Sequence, residues 1–274
     1  MSFDAHQLAD ALEFATVSYA ESTESTNTDL LADADAGPWT VRITTNQTAG
    51  KGRLGRVWEA PAGANLAMSV LLTPTSLDRI GTIPLAAGLA VADAISETRL
   101  KWPNDVLLGE KKLCGILAEA GALHANDEFK SGQFKSGSDS AFTSAKASGE
   151  LPPTARVVVG WGINVALSEE QLPVPHATSL QIAGKTTDHT QIAADVLRNF
   201  HERMQQWQDN DPQLLDDYRA ACASIGARVR LETHSEAIEG TVDTVTDDGR
   251  ISIDGKAFSA GDVSHLRRKD GNYS

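Results

Sequence analysis

The texture of the chain changes at Gly226, and that change restricts the architectures open to it. Downstream there are only short strand-like segments, at residues 228–232, 237–245, 250–253 and 256–259. Asp247-Asp248-Gly249 and Asp254-Gly255 lie between them and supply the residues that tight turns demand. Segments this short, joined this tightly, read as a small all-β barrel of the SH3-like kind. The boundary falls near Ser224, which gives a large domain over residues 1–224 and a barrel over residues 225–270.

Upstream the segments are longer. Residues 4–20 read as a helix with Leu8, Leu12 and Ala15 on one side, leading towards a short strand. Ser25-Thr26-Asn27-Thr28-Asp29 offers N-cap residues ahead of Leu30 and Leu31, and Gly37-Pro38 ends that helix. Residues 40–45 alternate as a strand, residues 65–72 form another, and residues 83–95 make a buried, alanine-rich helix. After a brief strand at 99–102, the apolar runs 106–108 and 113–117 flank Gly109-Glu110 as a hairpin whose return strand carries Lys112. A strand at 156–159 runs into Gly160-Trp161-Gly162-Ile163-Asn164, and helices at 191–208 and 212–222 close the domain. Residues 124–150 are dominated by Ser, Gly, Lys and Asp, so the stretch at about 125–150 reads as a mobile insertion.

Charge and cysteine content exclude several function classes. The formal net charge is −13 at pH 7. Displacing phosphate counterions takes Lys and Arg, so a chain this acidic is not expected to bind DNA. Cys114 and Cys222 are far apart and form no paired pattern, which fits a reducing compartment. No Lys or Arg precedes Arg42, so neither a secretory nor a mitochondrial leader is expected, and no apolar run reaches membrane-spanning length. The expected location is the cytoplasm.

Three segments carry chemistry. Gln47-Thr48-Ala49-Gly50-Lys51-Gly52-Arg53-Leu54-Gly55-Arg56 reads as a loop, because three glycines at this spacing support neither helix nor strand. Its glycines let backbone amides approach an anion, and Lys51, Arg53 and Arg56 can neutralise phosphate charge. A solvated hairpin tip is an equal reading of the same residues. In Lys101-Trp102-Pro103-Asn104-Asp105 the proline fixes the backbone at a strand end, and hairpin geometry brings Lys112 back towards Asn104 and Asp105. On chemistry alone that is a structural turn with a surface lysine. Gly160 and Gly162 permit close ligand approach, but in isolation the motif reads first as a β-bulge.

The order of these pieces resembles the catalytic domain of biotin protein ligases. Ser25-Thr26-Asn27 comes first, then the Gly-Lys-Gly-Arg-Leu-Gly-Arg loop with Trp58, then Lys101-Trp102-Pro103-Asn104-Asp105. Lys112-Leu113-Cys114-Gly115 and Gly160-x-Gly162-Ile163-Asn164 complete it. The resemblance implies an α+β fold: a mixed central β-sheet flanked by helices, like that of class II synthetases, followed by the small barrel. It implies that biotin and MgATP form biotinoyl-AMP with loss of pyrophosphate. The biotinoyl group then passes to a lysine of a biotin carboxyl carrier domain.

By position, the resemblance places Ser25, Thr26, Asn27, Gln47, Lys51, Gly52, Arg53, Lys112 and Gly115 around biotin. Arg56, Trp58, Asn104, Gly162 and Asn164 fall on the nucleotide side, and Asp105 on the Mg²⁺ side. Lys112, Arg53 and Asp105 are its catalytic candidates, with Lys112 between the biotin carboxylate and the α-phosphate and Asp105 as base or orienter. Cys114 reads as a core residue. The sequence departs from the family pattern at Lys51, where Arg is usual, and in the insertion. No DNA-binding domain precedes the first helix, so repressor activity is not expected. The alternatives are a lipoate or octanoate ligase or transferase, and a catalytically idle biotin-binding module. The first is set aside because the chain lacks an Arg-Arg…Gly-Gly-Gly stretch.

Overall fold

A computed structural model describes residues 3–74, 78–122, 155–233 and 236–266. The segment read as an insertion, 125–150, lies outside the described residues. In chain order the elements are α1 (Ala5–Ala11), β1 (Thr16–Tyr19), α2 (Thr26–Ala32), β2 (Thr40–Thr44), β3 (Gly50–Lys51), β4 (Val57–Trp58) and β5 (Asn65–Leu72). Then follow α3 (Ile83–Ala94), β6 (Thr98–Lys101), β7 (Asp105–Leu108), β8 (Lys111–Ala122), β9 (Ala155–Asn164), α4 (His189–Gln208) and α5 (Gln213–Ala221). The C-terminal strands are β10 (Arg228–Glu232), β11 (Ala237–Val245), β12 (Ile251–Ile253), β13 (Lys256–Phe258) and β14 (Asp262–His265).

Seven strands form the main sheet in the order β1-β2-β5-β9-β8-β7-β6. Only β1 and β2 run parallel within it, so the sheet is mixed, as expected. Its central strands separate two environments by their period of two. On β9, Val157, Val159, Trp161 and Ile163 join the core beneath α3 and α4, where Trp161 Nε1 donates to Ala87 O at 3.1 Å. Val158 turns to the other face, against Leu30 of α2, and Gly160, Gly162 and Asn164 share that face. Each large apolar side chain buried this way contributes about 1.5–3 kcal/mol.

Helix ends follow their caps. Asp188 accepts from the backbone of Thr190 and Gln191 to start α4, whose buried Ile192, Val196, Phe200, Met204 and Trp207 recur at helical spacing. Asp4 starts α1, but that helix ends at Ala11 instead of continuing towards residue 20. Leu12 leaves helical geometry at its end (φ −128°, ψ 65°), and the β-branched Thr16 and Val17 go to a strand beside β2. α2 stops at Ala32, earlier than Gly37-Pro38, because Asp33 turns the chain by accepting from Asp35 N and Ala36 N.

Two other readings change. The loop over residues 47–56 contains half of a small ladder, Gly50 opposite Trp58 and Lys51 opposite Val57. The Gly160–Asn164 segment is not a bulge: it is the second half of β9, paired to β5 throughout and to β8 as far as Ile163.

The C-terminal strands make a five-stranded antiparallel sheet in the order β13-β12-β11-β10-β14, in keeping with a small SH3-like unit. Asp254 and Gly255, both left-handed (φ 47° and 78°), turn β12 into β13. β14 was not legible in the sequence, and among the described residues the edges β13 and β14 do not pair to close a barrel. The apolar core nonetheless runs unbroken from the large sheet to Val229, Leu231, Val242 and Val263. Trp102 spans the junction, its indole donating to Gly249 O at 2.9 Å.

Candidate active site

Ser25, Thr26, Asn27, Gln47, Lys51, Gly52, Arg53, Arg56, Trp58, Asn104, Asp105, Lys112, Gly115, Gly162 and Asn164 all line one cleft of about 290 Å³ on the α2 side of the main sheet. Every candidate singled out in the sequence is therefore brought together, from elements up to 139 positions apart along the chain, Ser25 to Asn164.

Its closed end is built at the start of α2. Ser25 caps the helix, and Thr26 and Asn27 in its first turn are almost fully buried. Thr26 N donates to Gln47 Oε1 at 3.0 Å, tying the helix to the segment before the glycine-rich loop. Asn27 lies flat across three strands. Its Oδ1 accepts from Ser69 Oγ on β5 at 2.6 Å, and its Nδ2 donates to Leu117 O at 3.2 Å and Glu119 Oε2 at 2.8 Å on β8. Between them on β9 is Gly160, where a Cβ would stand 2.1 Å from Asn27 Oδ1. Only glycine leaves room there.

The glycine-rich loop reaches over the cleft from one side. Lys51 Nζ donates to Thr28 Oγ1 at 2.9 Å, Arg53 Nη1 to Asn104 Oδ1 at 3.4 Å, and Arg56 forms an ion pair with Asp262 of β14. Leu54 (φ 57°) and Gly55 (φ 73°) are consecutive left-handed residues at the tip, a conformation that costs Leu about 1 kcal/mol. Beyond them Trp58 lies over Gly115 and Gly162, which face each other on β8 and β9. A Cβ at Gly162 would come within 2.5 Å of the indole, so the two glycines make the flat floor on which Trp58 rests. Trp58 Nε1 is inaccessible and has no hydrogen-bond partner among the described residues.

The opposite wall carries the charges. In β8 the alternation sends Cys114 and Ile116 to the core and Gly115, Leu117 and Glu119 to the cleft side. Continued regularly, it would bury Lys112. It does not, because Val106 pairs with Cys114 while Leu107 pairs with Lys112, leaving Leu113 as an extra residue. This bulge shifts the phase by one and turns Lys112 to the cleft. There Lys112 Nζ meets Asp105 Oδ1 at 2.6 Å, while Lys101 Nζ stands 3.7 Å from Asp105 Oδ2. The backbone of Lys112 is pinned as well, its N–H donating to His176 O and its carbonyl accepting from Thr178 N. Cys114 is wholly buried, and burial pushes its thiol far above the usual range, so it is no nucleophile.

Several residues that line or support the cleft were not legible beforehand. Gly160 was visible as the first glycine of its motif but had no assigned partner. Ser69 and Glu119 act from behind Asn27. Glu119 is the single charged residue in the run 113–122, which was the available signal. Asp262 and His176 had none.

The matches to known proteins agree with this geometry. Residues 19–123 match the model of the biotin/lipoate A/B protein ligase family. The chain is 38% identical to the biotin–[acetyl-CoA-carboxylase] ligase of Mycobacterium tuberculosis, over 89% of its own length and 87% of that protein. It is 29% identical to the bifunctional ligase/repressor BirA of Bacillus subtilis, spanning 66% of that protein. Among solved structures it superposes on the biotin protein ligase of Aquifex aeolicus in complex with biotin and ATP, with a TM-score of 0.71 and 26% identity. That match covers 93% of this chain and all of the other. The chain belongs to the biotin protein ligase family.

Proposed function

We infer that the protein joins biotin to a carrier protein: ATP activates biotin to biotinoyl-5′-AMP with release of pyrophosphate, and the biotinoyl group then passes to a lysine. The carrying observation is that the Gly50–Arg56 loop, the Lys101–Asp105 segment and Lys112 converge on one cleft in a chain 38% identical to a biotin–[acetyl-CoA-carboxylase] ligase. That relative's name points to acetyl-CoA carboxylase as the acceptor, and the biotin carboxyl carrier domain of such a carboxylase, met in the cytoplasm, is the partner in this reading.

In the first step a carboxylate oxygen of biotin attacks the α-phosphorus and the bond to the bridging β-oxygen breaks. Two anions must approach, and a fixed cation between them lowers that repulsion. Lys112 is the residue to which this reading gives that role, and its ion pair with Asp105 in the cleft supports it. Arg53, tethered to Asn104, and Arg56 flank the path of the departing pyrophosphate. Lys51 supports biotin and Asn164 the nucleotide. In the second step the neutral lysine amine attacks the acyl carbon, the acyl–oxygen bond breaks with its electron pair going to AMP, and the amine proton passes to solvent. Asp105 suits an orienter better than a base, since both of its oxygens face lysines.

Magnesium is the remaining component. The described residues contain no cluster of three or more His, Cys, Asp or Glu able to hold a metal ion, and Asp105 is flanked by two ammonium groups. These residues do not fit a resident metal site, so any Mg²⁺ would arrive on the triphosphate, and no step here runs through it. The test of the reading is transfer. Purified protein with biotin, MgATP and a recombinant carrier domain should raise the carrier's mass by one biotinoyl group. Loss of that gain on replacing the target lysine supports the reading, and an unmodified carrier contradicts it.

A further inference from the structure

Resting on that reading, the hydrogen bonds behind the closed end of the cleft specify more than shape. Glu119 does not line the cleft, yet its Oε2 and the Leu117 carbonyl both meet the same atom of Asn27, at 2.8 and 3.2 Å. A carboxylate and a carbonyl only accept, so that atom is the amide nitrogen and the Asn27 amide has one orientation. Oδ1 then faces Ser69 at 2.6 Å, and the single Ser69 proton must go to it. Ser69 Oγ also stands 2.6 Å from Thr26 Oγ1, far closer than the other acceptor in reach, Gln47 Oε1 at 3.3 Å, so with its own proton committed Ser69 takes the single Thr26 proton. The donor chain runs Thr26 to Ser69 to Asn27 to Glu119 and uses every hydroxyl proton on the way.

We propose that Glu119 is a positioning residue that fixes the hydrogen-bond polarity of the closed end of the cleft. Thr26 Oγ1 and the free lone pair of Asn27 Oδ1 can only accept from a ligand. Gln47 Oε1 is committed to Thr26 N, which leaves Gln47 Nε2 as the donor. Acceptors beside one donor match a cyclic urea, which offers ring N–H groups and a carbonyl oxygen, and mismatch a ring that offers oxygen in place of N–H. Without the carboxylate, Asn27 is free to flip, Ser69 to reverse, and Thr26 to turn its proton into the cleft.

The experiment compares pyrophosphate release with biotin and with its two analogues in which one ring N–H is replaced by oxygen. Wild type, Glu119→Leu and Glu119→Gln are measured at saturating ATP. Loss of one matched hydrogen bond corresponds to about tenfold in KM, so wild type should disfavour at least one analogue by about that factor. Glu119→Leu should raise the biotin KM about tenfold, leave the ATP KM unchanged, and shrink the discrimination to roughly twofold. Glu119→Gln keeps an acceptor oxygen and should restore the wild-type ratio. Glu119→Ala repeats the test without added bulk if the leucine variant folds poorly. A discrimination ratio equal to wild type in the truncated variants overturns the proposal, as does a wild type that does not discriminate. If wild type releases no pyrophosphate with biotin, the ligase reading itself falls, and this proposal with it.

Discussion

Lys112 Nζ stands 2.6 Å from Asp105 Oδ1, on the cleft side of a strand that delivers it there only because Leu113 is an extra residue in the pairing. Lys112→Ala should therefore lower biotinoyl-AMP formation by about 10²–10³-fold, the range for removing one preorganised charge-stabilising donor. The pair is partly exposed, so the melting temperature should fall little, in line with about 1 kcal/mol or less. Rapid-quench measurement of the adenylate is the check. Near-normal formation by a folded mutant would remove Lys112 from the reaction.

The two glycines of β9 should respond differently to the same substitution. At Gly160 a Cβ would strike Asn27 Oδ1 at 2.1 Å, within a buried network that has nowhere to move. Gly160→Ala should cost about 1–3 kcal/mol of stability and raise the biotin KM. At Gly162 the obstacle is the Trp58 indole, at 2.5 Å, on a loop that can shift. Gly162→Ala should spare stability and speed the loss of bound adenylate. Denaturant melts together with adenylate-release rates separate the two, and identical profiles would contradict the assignment.

Side chains of the glycine-rich loop are tethered to Thr28, Asn104 and Asp262, the last through the exposed guanidinium of Arg56. Anionic ligands should replace these tethers and close the loop, which shields the mixed anhydride from water. Trypsin should cut after Lys51, Arg53 and Arg56 in the free protein and much more slowly with biotin plus ATP. Arg53→Gly should release adenylate faster than wild type. Equal cleavage in both conditions would show that no closure occurs.

Residues 123–154 are bracketed by a cross-strand pair, Ala122 opposite Ala155. A short turn can join such positions directly. Replacing the segment by a four-residue turn should leave the pyrophosphate-release rate within about twofold and the fold intact. A variant that adenylates normally but fails to transfer would assign acceptor docking to the segment.

His265 on β14 contacts Ser224 Oγ at 3.0 Å, and burial, aided by Lys101 and Arg99, lowers its pKa to about 4. The unfolded chain takes up this proton near pH 6.5, whereas the folded one resists until about pH 4. Stability is thus fully present above pH 6.5 and is lost as pH falls through that window, on the order of 2 kcal/mol. His265→Gln should flatten the pH dependence of the melting temperature between pH 6.5 and 4. An unchanged slope would contradict it.

The sequence revealed most strongly what is local. The strand 65–72 and the cluster of caps before Leu30 are written in consecutive residues, and so are the three segments that carry chemistry. What stayed hidden depends on register between distant strands. Nothing local marks Leu113 as a bulge, and plain alternation would have buried Lys112 with Cys114 and Ile116. Ser69 and Glu119 acquire meaning only when β5, β9 and β8 lie side by side under Asn27. Asp262 reaches Arg56 across 206 positions, from a strand that followed an unpromising Ser259-Ala260-Gly261.

The central claim is that this cleft adenylates biotin, and the most direct test is a single-turnover reaction with labelled ATP. The account predicts that wild type forms enzyme-bound biotinoyl-AMP and one equivalent of pyrophosphate with biotin, but not with lipoate or octanoate, and that Lys112→Ala forms both about 10²–10³-fold more slowly. Adenylate formed equally from lipoate, or pyrophosphate released at the same rate without biotin, would contradict it.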